Sequence, residues 1–452
     1  MHRLKQITIL LGDLLALYVG LYLAIFFRYF SWPGDKFANL FAPMSFLFIL
    51  AVMINFIAGL YDLSRAKNNW DFYQKIIINA AIWVMIGITY FYINPRDSVN
   101  PKTILLLTAL FGFGLLAVWR YFHNEFLSTV IWQTNVIFAG LTPEALDLIK
   151  EINLKPQIGY KTTGLLSTPE NVPEELKHLP YSTNLNDFKN FQLIVLAPHL
   201  KNDSELSKPL YEKLFNQVEI VDLANFYEEI LGAIPPFTFS PLWFSANLKE
   251  QRKKIYDRFR ILLDYLIALF MAVFFIITFP IIALLIKLTS PGPIFYIQER
   301  IGRLGQPFKM YKYRTMKMVS KDGGSEANGP QFTEANDKRI TVIGKALRST
   351  RLDEIPQFIN ILKGEMSIIG PRPERPEFVR QLTEAMPYYP LRHLVKPGIT
   401  GWAQLQQAYY GNIDENLKKL EYDLYYIKNR DLFLDLAIIL RTINVLTRMI
   451  GR

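Results

Sequence analysis

ILLDYLIALFMAVFFIITFPIIALLI, the run from Ile261 to Ile286, is the stretch on which the arrangement of the whole chain turns. A helix of this length can cross a hydrocarbon core roughly 30 Å thick. Yet the run carries Asp264 near its start and Pro280 inside it, and Lys287 and the turn-rich Ser290-Pro291-Gly292-Pro293 come directly after. Pro280 has no N–H to donate and its ring crowds the preceding turn, so the helix is expected to bend or break there. A simple crossing would carry the last third of the chain to the opposite side of the membrane. A broken helix could turn back and leave by the face it entered. Hydropathy alone leaves both arrangements open.

Toward the N-terminus, four more apolar stretches lie near residues 6–27, 41–61, 76–94 and 103–119, each suited to one crossing. Asp13 is the one acid in the first of them, expected near an interface or against a neighbouring helix. Arg3, Lys5, Arg65, Lys67, Lys75 and Arg120 would share one side, against Arg28, Lys36, Arg96 and Lys102 on the other. That imbalance favours a cytoplasmic N-terminus and a cytoplasmic position for the chain beyond Arg120. The 452-residue composition agrees: 51% hydrophobic and 14% aromatic residues, the apolar ones in blocks, describe a membrane protein carrying soluble parts. So much Leu, Ile, Phe and Tyr excludes disorder. The absence of cysteine excludes disulfide scaffolds, thiolate zinc sites and cysteine nucleophiles. The first apolar run lacks a small-residue cleavage site and further apolar runs succeed it, so it does not read as a cleaved signal.

Between residues 134 and 224 short apolar runs alternate with helical spacing. Asn135–Ala139, Gln192–Ala197 and Val218–Leu223 read as strands, and Pro143–Ile152 and Glu205–Phe215 as helices. This alternation predicts a small parallel α/β domain. Its first strand-to-helix turn, AGLTPEA, lacks the GxGxxG that lets a backbone approach a dinucleotide pyrophosphate, so a regulatory or assembly role is expected. From Pro291 the chain is a dense mix of charges, Gly, Pro and aromatics, with helix-like stretches near 341–351, 356–363, 376–386 and 413–449. The expected architecture is a membrane α-helical bundle over 1–125, a Rossmann-like α/β domain over 126–245 and a mostly α domain over 246–452.

Chemistry is concentrated in three runs, Lys309–Met316 (KMYKYRTM), Arg348–Gln357 (RSTRLDEIPQ) and Gly370–Phe378 (GPRPERPEF). A fourth, Pro397–Gln404 (PGITGWAQ), is glycine-rich and polar. Asp353 and Glu354 precede Pro356, and proline is favoured in a first helical turn. A helix from there through Lys363, stopped by Gly364, would set both acids at its N-terminus, facing backbone N–H groups and the positive dipole end. Two acids there could be simple caps. Arg348, Arg351, Arg372 and Arg375 shift the reading, because planar guanidinium forks suit phosphate oxygens. Together these groups suit a diphosphate bridged by Mg²⁺, which takes one or two carboxylates and fills its other positions with phosphate oxygens and water. A solvated ion-pair network is the alternative that spacing leaves standing.

The runs SPGPIFYIQERIGRLGQPFKMYKYRTM, LDEIPQFINILKGEMSIIGPRPERPEF and KPGITGWAQ resemble the bacterial sugar transferases, in order and without large gaps, over roughly residues 255–452. The four spans and the α/β domain are similar to the long form of that family. The resemblance implies a re-entrant membrane helix over 261–287 broken at Pro280, and a catalytic domain on the cytoplasmic face of the bacterial inner membrane. It implies transfer of a sugar 1-phosphate from a UDP-sugar to undecaprenyl phosphate with release of UMP, the first membrane step of exopolysaccharide, lipopolysaccharide O-antigen or capsule synthesis. Asp353 matches the family nucleophile, which would carry the phosphosugar covalently, and Glu354 its companion in holding Mg²⁺. By the same resemblance Lys312, Arg314, Arg348, Arg372 and Arg375 are assigned to substrate phosphates, and Gly398, Thr400, Gly401 and Gln404 to the substrate pocket. The implied partners are the UDP-sugar, undecaprenyl phosphate, membrane lipid and a second copy of the chain; no nucleic acid is expected. Which sugar is carried is not readable, and glucose, galactose or an N-acetyl sugar all stay open. A glycosyltransferase moving the sugar alone would release UDP and want an Asp-x-Asp after a strand, which the last third does not supply. A non-catalytic scaffold would have no use for intact LDE and GPRP runs.

Overall fold

The computed structural model describes residues 2–63, 66–94, 101–126, 133–201, 203–236, 241–248, 253–317, 339–406 and 412–447. Arg65 and Arg96, whose charges entered the orientation argument, lie outside them. The chain divides into two compact units, Met1–Leu231 and Gly232–Arg452.

In the first unit α1 (His2–Tyr29), α2 (Gly34–Ile57) and α3 (Trp70–Ile93) precede a fourth long element. That element joins α4 (Pro101–Thr108), a π-helical turn (Ala109–Phe113) and α5 (Gly114–Phe122). By length and composition all four can cross a membrane. Leu17, Leu21, Phe48, Trp83 and Leu116 fill their shared core. Glycine lets α1 approach the π turn: a Cβ on Gly20 would stand 2.3 Å from the Gly112 Cα. Asp13 turns inward, where Arg120 donates from Nε and Nη2 at 2.9 and 2.7 Å and the Tyr61 hydroxyl donates at 2.8 Å. A buried acid is tolerable because its charge is matched and its oxygens are hydrogen-bonded. Lys5 Nζ donates to the Ile158 carbonyl at 3.0 Å, so the start of α1 meets the α/β sheet. An even number of crossings would bring those two together.

The sheet is parallel throughout. Its strands β1 (Thr134–Ala139), β2 (Tyr160–Leu166), β3 (Tyr181–Ser182), β4 (Leu193–Leu196) and β5 (Glu219–Asp222) lie in the order β3-β2-β1-β4-β5. Helices α6 (Pro143–Leu154), α7 (Ser204–Leu214) and α8 (Leu223–Leu231) accompany them. The sequence pattern misses β2 and β3. In β2, Lys161, Thr162, Thr163 and Gly164 interrupt the apolar run, and Gly164 is needed under Phe188, whose ring a Cβ would meet at 2.5 Å.

The second unit begins earlier than the expected boundary at 246, because Ile234 and Phe244 are buried with Phe378, Leu382, Tyr389 and Leu420. It holds α9 (Pro241–Asn247), α10 (Lys254–Thr289) and an antiparallel hairpin of β6 (Phe295–Ile301) and β7 (Pro307–Tyr313). Next come α11 (Val342–Ser349), a 3-10 turn (Leu352–Gln357), α12 (Phe358–Leu362), β8 (Ser367–Ile369) and α13 (Pro376–Ala385). The unit closes with β9 (Gly398–Thr400), parallel to β8, and α14 (Trp402–Gln406), α15 (Ile413–Asn429) and α16 (Leu432–Thr447).

Helix α10 corrects the expected break: it continues as one α-helix through Pro280 to Thr289. Proline removes a single hydrogen bond from a long ladder, and packing on both sides of it keeps the turns in place. Before Pro280, Ala268 is buried with Ile361, Met366 and Ile368. After it, Ile282 and Ile286 are buried with Tyr313 and Leu347. Phe275, Phe279, Phe295 and Tyr313 stack with centroids 5.0–5.9 Å apart and join the helix to the hairpin. Both halves of α10 therefore rest on one domain. Leu262, Leu266, Phe270, Val273, Ile277 and Leu284 are left exposed along its length.

Candidate active site at the Asp353–Glu354 pair

Asp353 and Glu354 sit in the 3-10 turn and not at the head of a helix running unbroken to Lys363. Pro356 lies inside that turn and, having no N–H, donates to neither the i−3 nor the i−4 carbonyl. The five-residue α12 comes next, and Gly364, at φ +76°, ends it as the sequence predicts. With so short a helix, the dipole has little to offer the acids; neighbouring cations do more. Arg351 enters the turn at φ +56°, an uncommon conformation for a residue with a side chain, and such strain gathers at functional sites.

The cations come from separate elements. Lys312 arrives on β7 and donates to Glu354 Oε1 at 2.7 Å; Arg372, on the loop after β8, donates to the same oxygen at 3.0 Å. Arg351 Nη1 stands 3.9 Å from the other oxygen, Oε2. Arg348, in the last turn of α11, anchors Nε on the Thr315 hydroxyl at 3.0 Å. Asn360 locks the acidic turn to β7, accepting from Tyr311 N at 3.2 Å and donating to Lys309 O at 2.7 Å. Both acids are buried, but they are not equivalent. Among the described residues the Asp353 carboxyl has no hydrogen-bond or ion-pair partner. Burial pushes it up to about 6, the Glu354 charge adding to the effect against Lys312, Arg348 and Arg372. For Glu354 burial acts the same way, but Lys312, Arg372 and Arg351 outweigh it and hold the carboxyl well below its usual range. One carboxylate is clamped and charged; its neighbour, without a hydrogen bond or ion pair among the described residues, is pushed up to about 6.

A deeper layer, which the sequence did not single out, holds Arg372. Its carbonyl accepts from Arg392 Nη2 at 3.0 Å, and Arg392 is fixed by Asp423 at 2.7 Å. Glu374 takes Lys419 at 2.6 Å and Arg300 at 3.4 Å. The available signal was charge on an apolar face: Lys419 and Asp423 share a side of α15 with the buried Leu420 and Leu424.

The remaining predicted residues have other local duties. Arg314 donates to the Ser290 and Pro291 carbonyls at 2.6 and 2.5 Å, tying β7 to the exit of α10 instead of facing the acids. Arg375 precedes α13, with Nε 3.4 Å from Glu377 and its guanidinium over Phe378. Gly398 and Gly401 permit close backbone packing beneath the GPRP loop: a Cβ would lie 2.1 Å from Gly370 N and 2.2 Å from Gly370 O respectively. Thr400 O accepts from Gly370 N at 2.8 Å and its hydroxyl meets that of Thr442. Gln404 donates to Ile399 O, while its buried Oε1 has no partner among the described residues.

Mg²⁺ fits this chemistry. Glu354 Oε2 is buried without a hydrogen bond, and with the Asp353 carboxyl it offers two hard oxygen donors. No cluster of three or more His, Asp or Glu suited to a metal occurs among the described residues, so an ion here would keep positions for phosphate and water.

Long apolar helices and a buried carboxylate pair ringed by lysine and arginine are the features of a membrane protein with a candidate site for anionic ligands. The bacterial sugar transferase family model matches residues 255–449. The chain is 46% identical over 169 residues to a UDP-N-acetylgalactosamine-undecaprenyl-phosphate N-acetylgalactosaminephosphotransferase of Aeromonas hydrophila, covering 37% of this chain and 39% of that protein. Against a UDP-glucose:undecaprenyl-phosphate glucose-1-phosphate transferase of Klebsiella pneumoniae it is 28% identical, covering 96% of this chain and 93% of the relative. A like-named Xanthomonas campestris protein is 30% identical, covering 72% and 68%. The chain belongs to the bacterial sugar transferase family.

Proposed function

We propose that this chain is an undecaprenyl-phosphate hexose-1-phosphate transferase, taking a sugar 1-phosphate from a UDP-sugar and releasing UMP. The observation that carries the reading is the unlike pair: a partnerless buried Asp353 beside a charge-clamped Glu354, with Lys312, Arg348, Arg351 and Arg372 around them. In the first step an Asp353 oxygen attacks the phosphorus that bears the sugar. The diphosphate P–O bond breaks, UMP leaves with the electron pair, and an acyl phosphate holds the sugar phosphate. In the second step a phosphate oxygen of undecaprenyl phosphate attacks that phosphorus, and the Asp353 carboxylate is regenerated. Splitting one displacement between two anions into two steps suits substrates that arrive from water and from lipid. Arg372 and Lys312 orient Glu354 and face the transferring phosphate, while Arg348 faces it from α11. When bound at Glu354 and Asp353, Mg²⁺ supplies charge neutralisation to the diphosphate. The family names of the relatives and the site's cations support a nucleotide-sugar donor; the sugar itself is left to experiment.

For the membrane arrangement, we propose that α10, helical throughout, bends at Pro280 without unwinding, so that it enters and leaves by one face. Its 36 residues would span about 54 Å if straight, yet both halves pack on the same domain. That keeps the site on the cytoplasmic side of the inner membrane, where nucleotide sugars are made. The strand order supports a Rossmann-like reading of the sheet, and a homodimer is the proposed assembly. The test is incubation with labelled UDP-sugars and undecaprenyl phosphate, identifying lipid product and nucleotide. Release of UDP, or unchanged turnover by Asp353→Asn, would sink the proposal.

A further inference from the structure

A second charged recess lies at the head of α10, outside the pair just described. Its walls include Arg260 and Asp264 of α10, Arg303 at the β6–β7 tip, Ser367 of β8, Lys396 before β9, and Arg430. The cavity measures about 90 Å³, room for a phosphate group. Its acids are already engaged. Asp264 accepts from the Ser367 hydroxyl at 3.0 Å and from Ile368 N at 2.9 Å, and Asp257 is bound to Arg430 at 2.5 Å.

Its cations are not balanced in the same way. Arg260 donates from Nη2 to Ser367 and Ile369, but its buried Nε has no hydrogen bond, an Asp435 oxygen standing 3.9 Å off. Among the described residues neither Arg303 nor Lys396 has a hydrogen-bond or ion-pair partner. Burial lowers the half-buried Lys396 amine, the Asp264 charge opposes this, and Arg303 and Arg260 add to the lowering. Three cations drawn together around a hollow, two of them without a hydrogen bond or close ion pair among the described residues, are an arrangement that an anion would relieve.

The surroundings say which kind of anion. Phe259, Leu262 and Leu266 are exposed on α10 beside the recess, and Leu304 is exposed at the hairpin tip next to Arg303. Charge in the recess and exposed apolar side chains on the same elements match a molecule with a phosphate head and hydrocarbon tails. We infer that Arg260, Arg303 and Lys396 form a binding site for the phosphate headgroup of an anionic membrane lipid, with the acyl chains lying along the exposed face of α10. The site fixes the depth at which the domain sits in the bilayer, and the inference does not depend on the transfer chemistry.

The test uses the full chain in detergent, with the double variant Arg303→Glu/Lys396→Glu and, as a control in the dyad, Asp353→Asn. Phosphatidylglycerol and phosphatidylcholine are titrated and bound lipid is counted by native mass spectrometry; inorganic phosphate and undecaprenyl phosphate are the competing arms. Wild type and Asp353→Asn should bind phosphatidylglycerol equally, with the double variant weaker by roughly tenfold or more. An unfolding scan checks the variant; should it fail to fold, Lys396→Gln alone is titrated, with a severalfold loss expected. Equal affinity of wild type and folded variant overturns the site. Binding of phosphatidylcholine as tight as phosphatidylglycerol overturns the anionic preference. Displacement by inorganic phosphate at equal concentration overturns the lipid assignment, and a preference for undecaprenyl phosphate makes the recess a station for the acceptor instead.

Discussion

Replacing Asp353 by Asn should remove turnover and yet make the protein more stable. The carboxyl is lifted from 3.8 to about 6 by burial and by the Glu354 charge. Two pH units correspond to a cost on the order of 3 kcal/mol for keeping it ionised in the fold. Linkage gives the sign. In the unfolded chain Asp353 ionises near its ordinary value, so above about pH 6 the native state carries the full penalty. As pH falls from there toward 4 the native carboxyl takes up its proton and the penalty fades. Asparagine has nearly the same shape and no charge, so at about pH 7.5 the variant should gain on the order of 1–3 kcal/mol. At about pH 4 the two proteins should be alike. Thermal unfolding in detergent, followed by fluorescence at both pH values, reads this difference; if unfolding is irreversible, half-lives at one temperature replace midpoints. A variant less stable than wild type at about pH 7.5 would refute the reasoning. It would mean that Lys312, Arg348 and Arg372 hold Asp353 more strongly than burial opposes it.

The same titration should govern activity, with turnover falling about tenfold per pH unit below about 6, as ionised Asp353 is lost. Glu354→Gln should move that acid limb down and Lys312→Met should move it up, both read from residual activity against pH. Arg372→Lys keeps the charge but not the fork, so turnover should drop by a factor equivalent to about 1.5–3 kcal/mol. Asp423→Asn leaves the buried Arg392 without its partner and should cost about 3–5 kcal/mol of stability, with looser positioning of Arg372 appearing as a higher KM for the donor. Reporter fusions after Arg120 and after Lys287 should give the same sidedness; opposite sides would mean that α10 crosses.

Much of this site could be read along the chain because its residue types are few and clustered. Asp353, Glu354, Lys312, Arg348 and Arg372 fall within short charged runs, and the fold brings their elements together. The membrane helices were legible for a similar reason, since uninterrupted apolar length has one common use. Less legible was anything decided by where an element stops. Arg314 lies two residues beyond Lys312 and would share its face if β7 continued. The strand ends at Tyr313, and Arg314 turns back to the Ser290 and Pro291 carbonyls. Pro280 misled in the opposite direction: the local rule asks for a break, but packing by Phe275 and Phe279 before it and by Ile282 and Ile286 after it keeps the helix whole.

The unlikeness of the two acids was beyond the sequence altogether. Written as Asp-Glu they look interchangeable, and a helix N-terminus would have presented both to one ligand. Consecutive side chains leave a 3-10 turn about 120° apart and an α-turn about 100° apart, so in either form two neighbouring acids point different ways. Glu354 is the acid that meets Lys312 and Arg372, and Asp353 has no hydrogen-bond or ion-pair partner among the described residues. The turn thus gives the two acids unlike surroundings, as the proposed roles of charge holder and nucleophile require. Pro356→Ala restores an N–H and frees the backbone inside the turn, and a turn that relaxes should open Asp353 to water and blur the distinction. Asp353 would then titrate closer to an ordinary aspartate, and the acid limb of turnover would slide down with it. An unchanged limb in that variant would show that burial, and not the turn, sets the two acids apart.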